Sequence, residues 1–141
     1  MKYISFPYVK YLVTPPSVKP DQHIYRPVIP VKLSLGKQTI TFDGLIDSGA
    51  DECTFPGWIA KTLGHNVHSG NPKIFSGIGG SVLSYLHKTH IKLNGNEFVI
   101  NVYYSHEWDD MPFGLLGQAG FFVHFDICFY YEKKEIVLKP R

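Results

Sequence analysis

Strict alternation of apolar and polar residues, broken at short intervals by glycine and proline, is what most restricts the fold of this chain. Val31-Lys32-Leu33-Ser34-Leu35 alternates, Gly36-Lys37 turns, and Gln38-Thr39-Ile40-Thr41-Phe42 alternates again. A period of two puts every second side chain on one face of a sheet, so two such runs around a glycine-containing pair predict a hairpin. The pattern recurs. Lys73-Ile74-Phe75 and Val82 to Leu93 read as strands around the glycine-rich tip Gly77-Ile78-Gly79-Gly80, and Asn94-Gly95 is a strong two-residue turn into Glu97 to Tyr104. Phe125 to Tyr131, the turn Glu132-Lys133-Lys134 and Glu135 to Leu138 predict a closing hairpin. Helical periodicity is brief by contrast. Pro56 to Leu63 reads as one short helix with Gly64 as its C-terminal cap, and Gln118 to Phe122 as another. Asp43-Gly44 is expected to kink the chain before the buried-looking pair Leu45-Ile46, and Ser105 to Pro112 to form a polar loop. The expected class is all-β with one or two short helices.

Composition narrows the function classes. A chain of 141 residues that is 44% hydrophobic and 18% charged fits one domain with a real core. No apolar run approaches the roughly 20 residues that span a bilayer, so no membrane association is expected. Pro7 and Lys10 interrupt the start, so a secretory leader is not expected and the chain reads as cytoplasmic. A scattered net charge of +2 argues against nucleic acid as a partner. Cys53 and Cys128 make no disulfide framework; Cys53 reads as a buried free thiol. Residues 1–27, with prolines at 7, 15, 16, 20 and 27, are expected to be a Pro/Tyr-rich arm preceding a domain of residues 28–141. Tyr8 to Val13 is an edge-strand candidate within that arm, which serves as a linker or packs on a partner subunit.

Chemistry concentrates in Leu45-Ile46-Asp47-Ser48-Gly49-Ala50-Asp51. Asp47 follows two branched apolar residues, so its carboxylate is expected where a buried strand ends, partly desolvated. Gly49 permits close backbone approach, and its N–H can hydrogen-bond that carboxylate. Asp-Ser-Gly alone is also a common turn sequence. Other candidates are thinner. His65-x-x-His68 and His87-x-x-His90 have spacings seen in zinc sites, but no Cys or carboxylate cluster completes either, so neither a metal nor a cofactor is expected. Cys53 has no adjacent His to make it a nucleophile. Trp58 and Phe121-Phe122 read as core.

Three elements, taken in order and spacing, resemble the retropepsin-like aspartic proteases, single-domain relatives of the retroviral proteases and of pepsin. They are Asp47-Ser48-Gly49-Ala50-Asp51, with Ser48 where the family usually has Thr; the flap-like tip Gly77-Ile78-Gly79-Gly80; and Leu115-Leu116-Gly117, two apolar residues and a glycine. The resemblance covers Val28 to Leu138 and implies a closed-barrel-like acid protease monomer. It implies that Asp47 is catalytic, with Ser48, Gly49 and Ala50 supporting the active-site loop. It further implies that Asp51, Glu52, Gly77, Ile78, Gly79 and Gly80 bind substrate, and that Leu115, Leu116 and Gly117 brace the loop from behind. Such chemistry needs two carboxylates sharing one proton. The chain has one Asp-Ser-Gly, so the second Asp47 must come from another copy: a homodimeric aspartic endopeptidase acting on peptide or protein substrates is the expectation. A non-catalytic peptide-binding or dimerisation module on the same scaffold is the alternative. One departure is Gln118, which stands where retroviral members often have an Arg that pairs with the residue matching Asp51.

Overall fold

The computed structural model describes residues 2–12 and 23–141. Prolines 15, 16 and 20, and Val13 at the end of the expected edge strand, lie outside these residues.

The alternating run forms the hairpin β4 (Val28–Leu35) and β5 (Gln38–Ile46), in register from Val28 opposite Leu45 to Leu35 opposite Gln38. β5 runs unbroken through Asp43-Gly44, so the expected kink is absent. Gly44 is instead a point of close packing, where an added Cβ would lie 2.8 Å from the Leu116 side chain. β6 (Cys53–Pro56) leads into the one α-helix, α1 (Gly57–Leu63), which Gly64 ends in the left-handed region at φ 104°. The long hairpin β7 (Asn71–Gly77) and β8 (Gly80–Leu93) follows. At Asn94-Gly95 both residues take positive φ, 46° and 83°, and the mirror-image turn they make sends β9 (Asn96–Ser105) back along β8.

Closure comes from β10 (Gly114–Leu116), which lies parallel to β5 on one side and antiparallel to β6 on the other. β6 then pairs in parallel with β9, and β4 pairs with β8. The resulting cycle β4-β5-β10-β6-β9-β8 is a closed six-stranded barrel, with β7 attached to β8 outside the ring. Its interior holds the inward set of the alternation, including Val31, Leu33, Phe55, Ile91, Val102 and Leu116, each at most 1% exposed. Burying each such side chain contributes about 1.5–3 kcal/mol.

A smaller sheet closes the base in the order β1-β12-β11, from β1 (Ile4–Pro7), β11 (Phe125–Tyr130) and β12 (Glu135–Pro140). Ile4, Phe125, Ile136 and Leu138 from this sheet join the barrel core. The proline-dense N-terminal segment therefore holds regular structure: β1 pairs with β12, and β2 (Val9–Leu12) pairs with β3 (His23–Arg26).

Three further local readings differ from the structure. Gln118 to Phe122 is not a helix but a series of hydrogen-bonded turns followed by a 3-10 turn at Phe122–His124. The Gly117 carbonyl accepts from both Phe121 and Phe122, and Gly120 with two adjacent aromatics is weak helix material. Trp58 is 38% exposed on the outer side of α1, its ring edge against Phe42. The expected polar loop after β9 contains a 3-10 turn, His106–Trp108, whose Trp108 faces a cleft rather than solvent alone.

Candidate active site

β5 ends at Ile46, which is buried, and Asp47 follows as the first residue beyond the strand, half-buried. Its backbone is held from behind: the Asp47 N–H donates to the Leu116 carbonyl at 3.1 Å, extending the parallel β5–β10 pairing by one residue. The turn then closes on itself. The Ala50 N–H donates to the Asp47 carbonyl at 3.2 Å, and the Gly49 N–H donates to Asp47 Oδ1 at 2.9 Å. A backbone donor on one carboxylate oxygen holds the side chain in one orientation at the turn.

Gly117 permits the next layer. A Cβ there would sit 2.3 Å from the Glu52 carbonyl oxygen and 2.7 Å from that of Ala50, so any side chain would push the loop away. With glycine in place, Gln118 N donates to the Ala50 carbonyl and Ala119 N to the Asp51 carbonyl, both at 2.9 Å. Gln118 also reaches across with its side chain, Nε2 donating to the Ser48 carbonyl at 2.7 Å. The residue standing in the place of the expected arginine therefore ties the loop through an amide rather than an ion pair. Behind the loop, Cys53 is completely buried, its thiol pushed up to about 11 chiefly by burial.

Asp47 opens into a cleft of about 400 Å³. The floor carries Asp47, Gly49, Ala50, Asp51 and Glu52, with Leu115 beside them. The walls are apolar and come from elsewhere in the chain: Phe75 of β7, Trp108 and Met111 after β9, and Phe113 before β10. Phe75 sits edge-on to Tyr103 at 5.3 Å and to Trp108 at 5.8 Å. Burial, and then the charge of the Glu52 carboxylate, raise the pKa of the Tyr103 hydroxyl. The β7–β8 hairpin is tied to the Trp108 turn by the Leu83 N–H donating to Glu107 Oε2 at 3.4 Å.

Of the residues singled out in the sequence, Asp47, Gly49, Ala50, Asp51, Glu52 and Leu115 share this cleft. Leu116 and Gly117 stand behind it, and Ser48 lies on the outer side of the turn, its carbonyl held by Gln118. Gly77, Ile78, Gly79 and Gly80 form the hairpin tip away from the cleft lining, with Ile78 fully exposed and Gly80 at φ 126°. The hairpin meets the cleft through Phe75 and Ser76 instead. Phe75, Trp108, Met111 and Phe113 are the wall residues that sequence reasoning missed. The one available signal was a tryptophan inside an otherwise polar segment.

Asp109 is occupied elsewhere, accepting from Trp58 N through Oδ1 and pairing with His106 Nδ1 through Oδ2 at 2.8 Å. The histidines regroup across the expected pairs: His65 lies 4.5 Å from His87 ring to ring. Among the described residues no group of three or more His, Cys, Asp or Glu is placed to hold a metal ion.

No protein-family model matches the chain, and no curated protein matches its sequence. Solved structures do match. One is the EIAV protease complexed with the inhibitor HBY-793, at TM-score 0.51 and 21% identity, covering 75% of this chain and 88% of that one. Another is a retropepsin-like aspartic protease from Rickettsia conorii, at TM-score 0.59 and 17% identity, covering 79% of this chain and 89% of that one. The closed six-stranded barrel, the strand threaded behind Asp47 and these structural neighbours agree: the chain has the retropepsin-like fold.

Proposed function

We propose that this protein is an aspartic endopeptidase whose active site is completed by a second copy of the chain. The observation that carries the reading is Asp47 itself, at the floor of an apolar cleft, with its backbone held by Leu116 and one carboxylate oxygen held by Gly49. The likeness to solved aspartic proteases supports the same reading through the fold.

Each chain contributes one such aspartate, and a two-fold axis through the floor of the cleft brings the two Asp47 carboxylates together. Two carboxylates about 3 Å apart cannot both ionise, so the pair holds one shared proton. The ionised member takes a proton from a water, which attacks the scissile carbonyl carbon. The protonated member donates to the carbonyl oxygen as the tetrahedral intermediate forms. The proton then passes to the leaving amine as the C–N bond breaks. No metal or cofactor enters the reaction. The peptide lies extended across Asp51 and Glu52, and the tip Gly77 to Gly80 closes over it as a flap.

The domain carrying the catalytic residues is 28–141, and the arm that precedes it packs onto it, β1 through β12 and Tyr11 against Phe113. Unpaired Cys53 and Cys128 fit a reducing, cytoplasmic setting.

The test is Asp47→Asn, a near-isosteric change, read with wild-type dilution. The variant should keep the fold and the dimer by sedimentation while turnover of a peptide library falls at least about a hundredfold, the scale of general acid–base catalysis. Wild-type specific activity should rise with protein concentration to a plateau. Equal turnover in the variant, or full activity in a monomer, would overturn the assignment. Peptide binding that survives in a wild type unable to cleave would favour a binding module on the same scaffold.

A further inference from the structure

The β2–β3 hairpin belongs to neither the barrel nor the basal sheet. Its register places Val9 opposite Arg26 and Tyr11 opposite Ile24, so these four side chains share one face. That face meets the cleft. The Tyr11 ring stands edge-on to Phe113, with centroids 5.9 Å apart at 79°. The Arg26 guanidinium braces the pair, 4.9 Å from the Tyr11 ring and 5.9 Å from the Phe113 ring. Among the described residues Arg26 makes no ion pair. The hairpin cannot swing away freely, because the Pro27 carbonyl accepts from the Ile46 N–H at 2.9 Å and Val28 is already paired with Leu45. Arg26 is thus anchored within one residue of the strand end that carries Asp47. Tyr11 is half-buried, its hydroxyl pKa raised first by burial and then by the Asp43 carboxylate.

Phe113 lines the cleft, whereas Tyr11 lies behind it. A half-buried phenyl ring with nothing behind it can change rotamer to admit a larger guest; one held edge-on by a second ring cannot do so without losing that contact. We propose that Tyr11 is a positioning residue for substrate selection: by holding Phe113 in the cleft wall, the β2–β3 hairpin limits the substrate side chain received there to one of leucine or methionine size and excludes indole. The guest is apolar because the wall is Phe113, Met111, Trp108 and Phe75, with Leu115 on the floor beside them. This rests on the endopeptidase reading above and adds a determinant of which peptides are taken.

The test uses the full chain as wild type, Tyr11→Phe, Tyr11→Leu and Tyr11→Ala. Cleavage products of a mixed peptide library locate the side chain seated against Phe113. Peptide pairs differing only by Leu or Trp at that position then give a Trp/Leu ratio of kcat/KM. In Tyr11→Ala the ratio should rise about tenfold, carried by KM, the scale of reshaping an apolar pocket. Tyr11→Leu should move the same way and, because it keeps an apolar side chain, covers the case in which the alanine variant does not fold. Tyr11→Phe keeps the ring and should leave the ratio unchanged. A purely structural role would lower the melting temperature of Tyr11→Ala and Tyr11→Leu with the Trp/Leu ratio unmoved, and that result overturns the proposal. In the Asp47→Asn background, where turnover is lost, the Trp/Leu ratio of retained peptide is measured instead and should move in the same direction. If the wild type cleaves with a selection indifferent to Tyr11, only the hairpin assignment falls. If it neither cleaves nor retains peptide, the endopeptidase reading falls and this proposal falls with it.

Discussion

Gly44 and Leu116 form the contact on which the loop carrying Asp47 rests, and their coupling can be measured. Leu116 is completely buried, and an added Cβ at Gly44 would lie 2.8 Å from both Cγ and Cδ1 of Leu116. Leu116→Ala should cost about 3–5 kcal/mol, the lost transfer energy plus a cavity behind Asp47. Gly44→Ala forces overlap with Leu116, costing about 1–3 kcal/mol, less about 0.5–1 kcal/mol recovered by removing a strand glycine. In the double variant the new methyl enters the space that the leucine leaves. The overlap disappears and part of the cavity is filled, at about 0.8 kcal/mol per buried carbon. The double variant should therefore be about as stable as Leu116→Ala alone or better, giving a coupling of about 2 kcal/mol in the restoring direction. Urea unfolding of all four proteins, at one fixed protein concentration because the native state is proposed to be a dimer, supplies the cycle. Costs that simply add to within about 0.5 kcal/mol would refute the packing argument. Activity offers a second reading, because the Asp47 N–H donates to the Leu116 carbonyl.

Thiol labelling should be biphasic: Cys128, which is exposed, should react at once with a disulfide reagent, while Cys53, buried and with its thiol pushed up to about 11, should react only on unfolding. Two fast thiols in the native protein would contradict the packing behind the loop. His65 carries an unpartnered buried Nε2, and burial, then the neighbouring His87, lowers its pKa below the ordinary 6.5. The native state therefore resists a proton that the unfolded chain accepts. This contribution to stability is whole above pH 6.5 and is lost as the pH falls through the lowered native value. His65→Gln should flatten the decline in melting temperature between about pH 7 and 5, and an unchanged slope would remove His65 from the acid response.

Much of the architecture was legible from local rules. Alternation at Val31 to Phe42 became β4 and β5 because a period of two can bury one face only in an extended chain. Asn94-Gly95 and Gly64 adopted positive φ because those residue types tolerate it and the turn and helix end require it. Asp47 directly beyond a buried strand was likewise legible from Leu45-Ile46 and the turn residues after it.

Local rules failed wherever a distant segment supplied the deciding contact. Asp43-Gly44 has the composition of a kink, yet the strand continues because Leu116, some seventy residues later, occupies the space where a side chain would go. Gln118 to Phe122 has the length of a helical turn, but Gly117 and Gln118 spend their backbone and amide groups on Ser48, Ala50 and the turns that follow. The cleft walls come from two separate stretches, Phe75 from β7 and Trp108 and Phe113 from the connection between β9 and β10, and Tyr11 reaches Phe113 from a proline-dense arm in which only an edge strand was expected. The chain's own pattern determined which residues turn, which alternate and where a carboxylate meets the end of a buried strand, because backbone sterics and burial period act over a few residues. Tertiary structure decided which strand threads behind Asp47, which aromatics wall its cleft and what Gln118 holds. Those choices depend on how the closed barrel brings remote backbone groups and side chains within bonding distance.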